Sequence, residues 1–297
     1  MLLPALSHAK VQAQGIKCLS GMKQLQLAAI LYADDNSGNW MPNQPEGDGG
    51  GQEDWVTVEM DWGGTTYNGG PVSTNWQLLI TPPGATTQYY SFFQPYIKDP
   101  FIYKCPTDPS TINGAPRVRS YAASQAVGTC FAKVDAGPPT CVYGYAGGPV
   151  TGQWLSGANS DCQNYGYCYQ KLSQMIRPSP SYLFVFGEEH PDSINDAGFA
   201  VQIASIGLGG DWIDLPSNLH NGGGPFSFAD GHAETHKWVG SLISHLKFIN
   251  GPSGNDAAVE PVTGGVVTSI ADQRDLNWIQ TRTSAPMNKN IPFPYPQ

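Results

Sequence analysis

The sequence predicts an α+β fold in which a long N-terminal helix packs on an antiparallel β-sheet, with long loop insertions in the head. Three observations carry this. Residues 11–33 repeat apolar side chains at helical spacing. Residues 182–238 hold four strand-like runs, the last two joined by Asp230-Gly231. The 35 Gly and 25 Pro, about a fifth of the 297 residues, imply many turns but stay below low complexity. One helix followed by hairpins buries its stripe most simply on one sheet face.

The helix comes first. Val11, Cys18, Met22, Leu25, Ala29 and Tyr32 recur at spacings of three, four and seven, and Leu19 and Ile30 widen the stripe. Lys17, Lys23 and Gln26 lie off it. Asp34-Asp35-Asn36-Ser37-Gly38 is a stop signal, so residues 1–38 form the helical unit. Residues 39–283 form a β-rich head with insertions at about 40–100 and 125–170, and 284–297 are a Pro-rich tail. Within the head, Phe92–Ile97 reads as a short helix. Tyr182–Glu189, Phe199–Ala204, Pro225–Ala229 and His232–Trp238 read as strands, and Trp238–Ile249 as a closing helix. In the last hairpin Asp-Gly supplies a two-residue turn, pairing Ala229 with His232 and Ser227 with Glu234.

Composition excludes several partners. The net charge is −9, and no basic run exists to neutralise phosphates, so nucleic acid and anionic membrane surfaces are not expected to bind. No stretch approaches the roughly twenty apolar residues of a bilayer span. Charged residues are only 13%, and the six Cys include no CxxC pair and match no zinc-module spacing. An even count in a loop-rich chain fits disulfides in an oxidising compartment. Cys130 with Cys141, and Cys162 with Cys168, close the shortest loops. Cys18 and Cys105 are then left for each other; buried free thiols are the alternative.

Several motifs in order carry a resemblance. Residues 1–38, Lys104–Asp108 (KCPTD), Arg117–Ala122 (RVRSYA), Glu188–Phe199 (EEHPDSINDAGF), His220–Trp238 and Asp275–Thr283 resemble the prepilin-type, processing-associated His-X9-Asp-Gly proteins of planctomycete- and verrucomicrobia-like bacteria. His220, nine residues, then Asp230-Gly231 is the signature itself. The resemblance implies a pilin-like fold and a subunit exported through the inner membrane and trimmed by a prepilin peptidase. It also implies an apolar anchoring helix, most of which would lie upstream of Met1. The expected function is therefore a structural pseudopilin-like or pilin-like subunit of an envelope filament or type II secretion-like machine, not an enzyme. Its expected location is the cell envelope, its partners other pilin-like subunits met through the N-terminal helix.

Candidate sites follow. His232, Glu234 and His236 share one strand face, and with His220 and Asp230 could gather a metal such as zinc. The favoured reading is architectural: Gly231 takes the turn's positive φ, and His220 bonds Asp230 or a turn carbonyl. HxExH is not the HExxH of helical zinc proteases, so a metal-dependent hydrolase has little support. Glu189, Asp192, Asn195 and Asp196, beside Glu188 and His190, offer oxygen ligands for calcium, a cofactor that the resemblance to major pseudopilins also implies. Local Asx-type turns are the alternative. Trp55, Trp62 and Trp76, with Trp40, are candidate sugar-stacking residues. They carry the alternative function, an extracellular polysaccharide-binding module displayed on a filament; caps on the core beneath long loops are their plainer role.

Overall fold

Helix α1 runs Leu2–Asp35 in the computed structural model, which describes residues 2–43, 54–128, 167, 169–201, 212–250, 267 and 269–285, with side chains of α1 from residue 12. The stop signal acts as read. The Asn36 side-chain amide donates to the Tyr32 carbonyl at 2.7 Å, and Gly38 N–H, from a left-handed residue, donates to Ala33 O at 2.8 Å. Cys18, Met22, Leu25 and Ala29 are buried in the core. Gln26, assigned by spacing to an outer face, is buried too, because Ser227 donates to its side-chain oxygen at 3.0 Å.

The head holds two small hairpins, β1 (Thr66–Tyr67) with β2 (Gly70–Pro71) and β3 (Thr111–Ile112) with β4 (Ala115–Pro116). Its main sheet contains β5 (Tyr121–Ser124), β6 (Phe184–Glu188), β7 (Gly198–Phe199), β8 (Gly223–Phe228) and β9 (Ala233–Lys237), in the order β7-β5-β6-β8-β9. The fold is thus mixed α+β with an N-terminal helix. The sheet is not wholly antiparallel: β7 pairs with β5 in parallel, reached by a connection that returns across the sheet end. Helix α1 contacts β6, β8 and β9 as well as a 3₁₀ turn at Pro100–Tyr103.

The hairpin register differs from expectation by one residue. Phe226 faces Glu234 and Ser227 faces Ala233, so the loop has three residues, Ala229–Gly231. Gly231, at φ +96°, closes it as the left-handed third residue that such loops require. The segment Phe92–Ile97 is a run of turns rather than a helix, and α2 (Ser241–Ser244) occupies only four residues of the expected closing helix. The real closing helix is α3 (Ile270–Thr283), whose N-terminal amides are capped by the Ser269 hydroxyl. Asp275 accepts from Val239 and Gly240 N–H, and Asp272 from Leu242 N–H, which ties α3 to the start of α2.

Cys130, Cys141, Cys162 and Cys168 lie outside the described residues, as does the tail beyond 285. Among the described residues no helix is long and apolar enough to cross a membrane.

Candidate functional site

Four ligand-bearing side chains from distant segments meet where α1 crosses the sheet. Cys18 comes from α1 and Glu188 from the last position of β6. Cys105 follows the 3₁₀ turn, and His220 sits in the turn before β8. Their nearest donor atoms all lie within 4.8 Å of one another. His220 Nε2 is 2.8 Å from Glu188 Oε2 and 3.3 Å from Cys105 Sγ, and Cys18 Sγ is 3.4 Å from Glu188 Oε2. Glu188 is directly opposite Tyr121 in the β5–β6 register, and the Tyr121 hydroxyl reaches Cys18 Sγ at 3.0 Å.

Local structure sets each donor. In the turn formed by KCPTD, the Cys105 N–H donates to Ser120 Oγ at 3.1 Å and Asp108 N–H donates back to Cys105 O. The Thr107 hydroxyl lies 2.9 Å from Cys105 Sγ, and the Thr107 N–H donates to it at 3.5 Å. His220 N–H donates to Gly223 O at 3.0 Å, across a turn containing left-handed Asn221 and Gly222. Gly21, one turn beyond Cys18, allows α1 its close approach: a Cβ there would stand 3.2 Å from the Ile102 carbonyl.

The electrostatics are tightly coupled. Burial pushes the Cys18 thiol well up. Burial also opposes ionisation of Cys105, but hydrogen bonds with Cys18 and His220 outweigh it and hold the thiol near 5. Burial and the Cys105 charge raise Glu188 to about 8. For His220 burial is overcome by Cys105 and Glu188, which raise it to about 10. The same ring nitrogen serves both acidic partners. The four donor atoms therefore converge on one point, where they could hold a metal ion.

The sequence-predicted residues fare differently. Cys18 and Cys105 do come together, but as free thiols, not as the disulfide expected for them. His220 bonds Glu188 and Cys105 instead of Asp230. Asp230 takes His232, whose ring Nδ1 lies 2.5 Å from its carboxylate and whose ring stacks on Phe228. The set His232, Glu234 and His236 gathers no ligand atoms within that range, since the histidine rings are engaged by aromatic neighbours.

The acidic loop is held by protein cations. Arg117 donates to the carbonyls of Pro191 and Ile194, and Arg119 to those of Tyr121, Val58 and Asp196. The candidate calcium ligands turn to local groups. Glu189 accepts from Ser193, Asp192 from Ile249 N–H, Asn195 from Asp196 N–H and Asp196 from Gly198 N–H. Two buried guanidiniums supply positive charge beside these groups, and among the described residues their carboxylates do not gather within 4.8 Å of one another. The repeated Arg of RVRSYA was the available signal.

Trp55 and Trp40 are wholly buried, which removes Trp55 as a sugar platform. Trp62 and Trp76 are half-buried, with Arg117 stacked 4.3 Å over one ring and Phe101 at 4.6 Å from the other.

His236 gives a pH prediction. Its ring stacks 3.7 Å from Trp278 and packs on Trp238; burial, then Arg282, pushes it down to about 4 from 6.5. Asp275, 4.0 Å away, is beyond hydrogen-bond reach and serves backbone amides instead. Below pH 6.5 the unfolded chain takes up a proton that the folded chain refuses. The stability present above 6.5 is therefore lost as pH falls towards about 4, by up to about 3 kcal/mol. His190, buried and likewise lowered to about 4, acts in the same direction. The raised Glu188 acts in the opposite direction over this range, so urea unfolding between pH 7 and 4 reads His236 as a difference: relative to His236→Phe, which keeps the stack, the parent should lose up to about 3 kcal/mol.

Compared with known proteins, the chain matches no family model, no curated protein and no solved structure.

Proposed function

We propose that this chain is a pilin-like structural subunit of an extracytoplasmic filament or secretion machine and acts by assembly, without catalysis. The observation that carries this is the two-sidedness of α1. One stripe of the helix is in the core, yet Ile16, Leu27 and Leu31 are exposed by 70%, 55% and 41%. Spacings of eleven and four put these three within about 60° of the helix circumference. Full burial begins at Cys18, and Gln14 and Gly15, half-buried, still lie against the head. A half-apolar stripe on the outer face of such a helix suits the helix of a second subunit, with Lys23 and Ser20 between its apolar positions.

Crosslinking in envelope fractions of cells expressing the complete gene tests this. The unaltered protein should give a ladder of crosslinked copies. Leu27→Lys with Leu31→Lys should abolish the ladder while leaving the melting temperature of the purified protein within a few degrees. A protein that stays monomeric, or a ladder indifferent to both lysines, would count against assembly through α1.

A further inference from the structure

We propose that Cys18, Cys105, Glu188 and His220 form a structural zinc site that clamps α1 to the head. The proposal goes beyond the assembly reading and does not depend on it. Two sulfurs, an imidazole nitrogen and a carboxylate oxygen are a donor set for zinc; calcium and magnesium take oxygen throughout. Ideal zinc bonds of about 2.3 Å to sulfur and about 2.0–2.1 Å to nitrogen or oxygen place tetrahedral donors about 3.4–3.8 Å apart. The observed 3.3 and 3.4 Å separations need widen only by one to three tenths of an ångström, and the 2.8 Å between His220 and Glu188 by about 0.6 Å. All four groups are withdrawn from solvent, the His220 side chain being the most open at 6%.

The cluster is not fully satisfied within the protein: one imidazole nitrogen faces both Glu188 and Cys105, and Glu188 Oε1 is buried with no hydrogen-bond partner. A dication satisfies all four donors at once. The outer groups are those a thiolate pair requires: the Tyr121 hydroxyl at Cys18, and the Thr107 hydroxyl and N–H at Cys105. Four protein ligands leave no open position, which marks a structural site, not a hydrolytic one. The metal would join the helix, the KCPTD turn, the end of β6 and the turn before β8, four segments far apart in the sequence.

The test uses the full chain with Cys130, Cys141, Cys162 and Cys168 replaced by Ser, so that the only thiols left are Cys18 and Cys105. Purified without chelator, or refolded with zinc, it should hold about one zinc per chain by mass spectrometry. Cobalt substitution should give a thiolate-to-cobalt charge-transfer band with tetrahedral d–d bands. Chelation should lower the melting temperature by on the order of 10 °C, restored by zinc. Cys18→Ser and His220→Gln should each lose the metal and the chelator response. If either variant fails to fold, the cobalt spectrum and zinc content of the parent chain decide alone. Zinc well below one equivalent after refolding, cobalt without the thiolate band, or a Cys18–Cys105 disulfide in protein taken from envelopes would each overturn the site.

Discussion

Replacing Arg119 by alanine is expected to destabilise the head by roughly 3–5 kcal/mol, enough to unfold a large share of the protein at ambient temperature. The guanidinium is fully buried and donates to the carbonyls of Tyr121 at 2.7 Å, Asp196 at 2.5 Å and Val58 at 3.2 Å. Those acceptors belong to β5, the acidic loop and the segment before β1. Removing the side chain takes a buried charged donor from each of them, at roughly 1–3 kcal/mol apiece before the site relaxes. Burial lowers the arginine to about 10, against the pull of Asp196, Glu189 and Asp54, so it is still charged at neutral pH. Arg119→Lys should recover only part of the loss, because one ammonium cannot reach three divergent carbonyls as a planar fork does. Denaturant midpoints of the two variants check the order; equal stability of the alanine variant and the parent would refute it.

Trp55→Ala should cost a comparable 3–5 kcal/mol. The indole lies in the middle of the largest aromatic group, 5.0 Å from the Phe186 ring, 5.4 Å from Phe93 and 6.0 Å from Tyr103, stacked on the last. Its N–H donates to Ala197 O at 3.0 Å, which fastens the insertion before β1 to the strand order at β7. Alanine opens a cavity between sheet and insertion and takes one of two donors from that carbonyl, which still accepts from the Ala123 N–H at 2.8 Å. Trp55→Phe should lose less, since it keeps the ring contacts and gives up chiefly the hydrogen bond. Thermal unfolding of both variants, followed by near-ultraviolet circular dichroism, reads the difference. A wild-type melting curve for Trp55→Ala would return this residue to the surface role that its sequence context suggested.

Both residues show why the head was less legible than the helix. Tryptophans between glycines look alike whether they cap a core or face a sugar, because no period distinguishes the two. Arg117 and Arg119 were visible as a motif but not as a clamp: a buried arginine is exceptional, and apart from Tyr121 their carbonyl partners sit 61 to 77 residues away. Helix α3 went unread because its apolar pattern is weak: Leu276 and Ile279 enter the core, and Asp272, Asp275 and Trp278 add polar and aromatic holds on the head. The one-residue error in the last hairpin has a similar origin. Asp-Gly suits two-residue and three-residue loops alike, and anchoring of Ala229 and Asp230 N–H to the Leu183 and Pro180 carbonyls selects the longer one.

What the amino-acid sequence by itself determined is local: the helix with its Cys18, Met22, Leu25 and Ala29 stripe, its stop at residues 34–38, and the strands about Asp230-Gly231. These follow from side-chain period and from backbone preferences that act within a few residues. Only the tertiary structure decided the cluster of Cys18, Cys105, Glu188 and His220, in which Glu188 stands 170 residues from Cys18 and His220 stands 115 from Cys105. No spacing rule reaches so far. Their meeting is fixed by the register that sets Tyr121 opposite Glu188 and by the close approach of α1 at Gly21, both products of packing. The cysteine spacing, read alone, matched no zinc module because that test looks for ligands on one turn, whereas here the fold brings one polar side chain from each of four segments to one place.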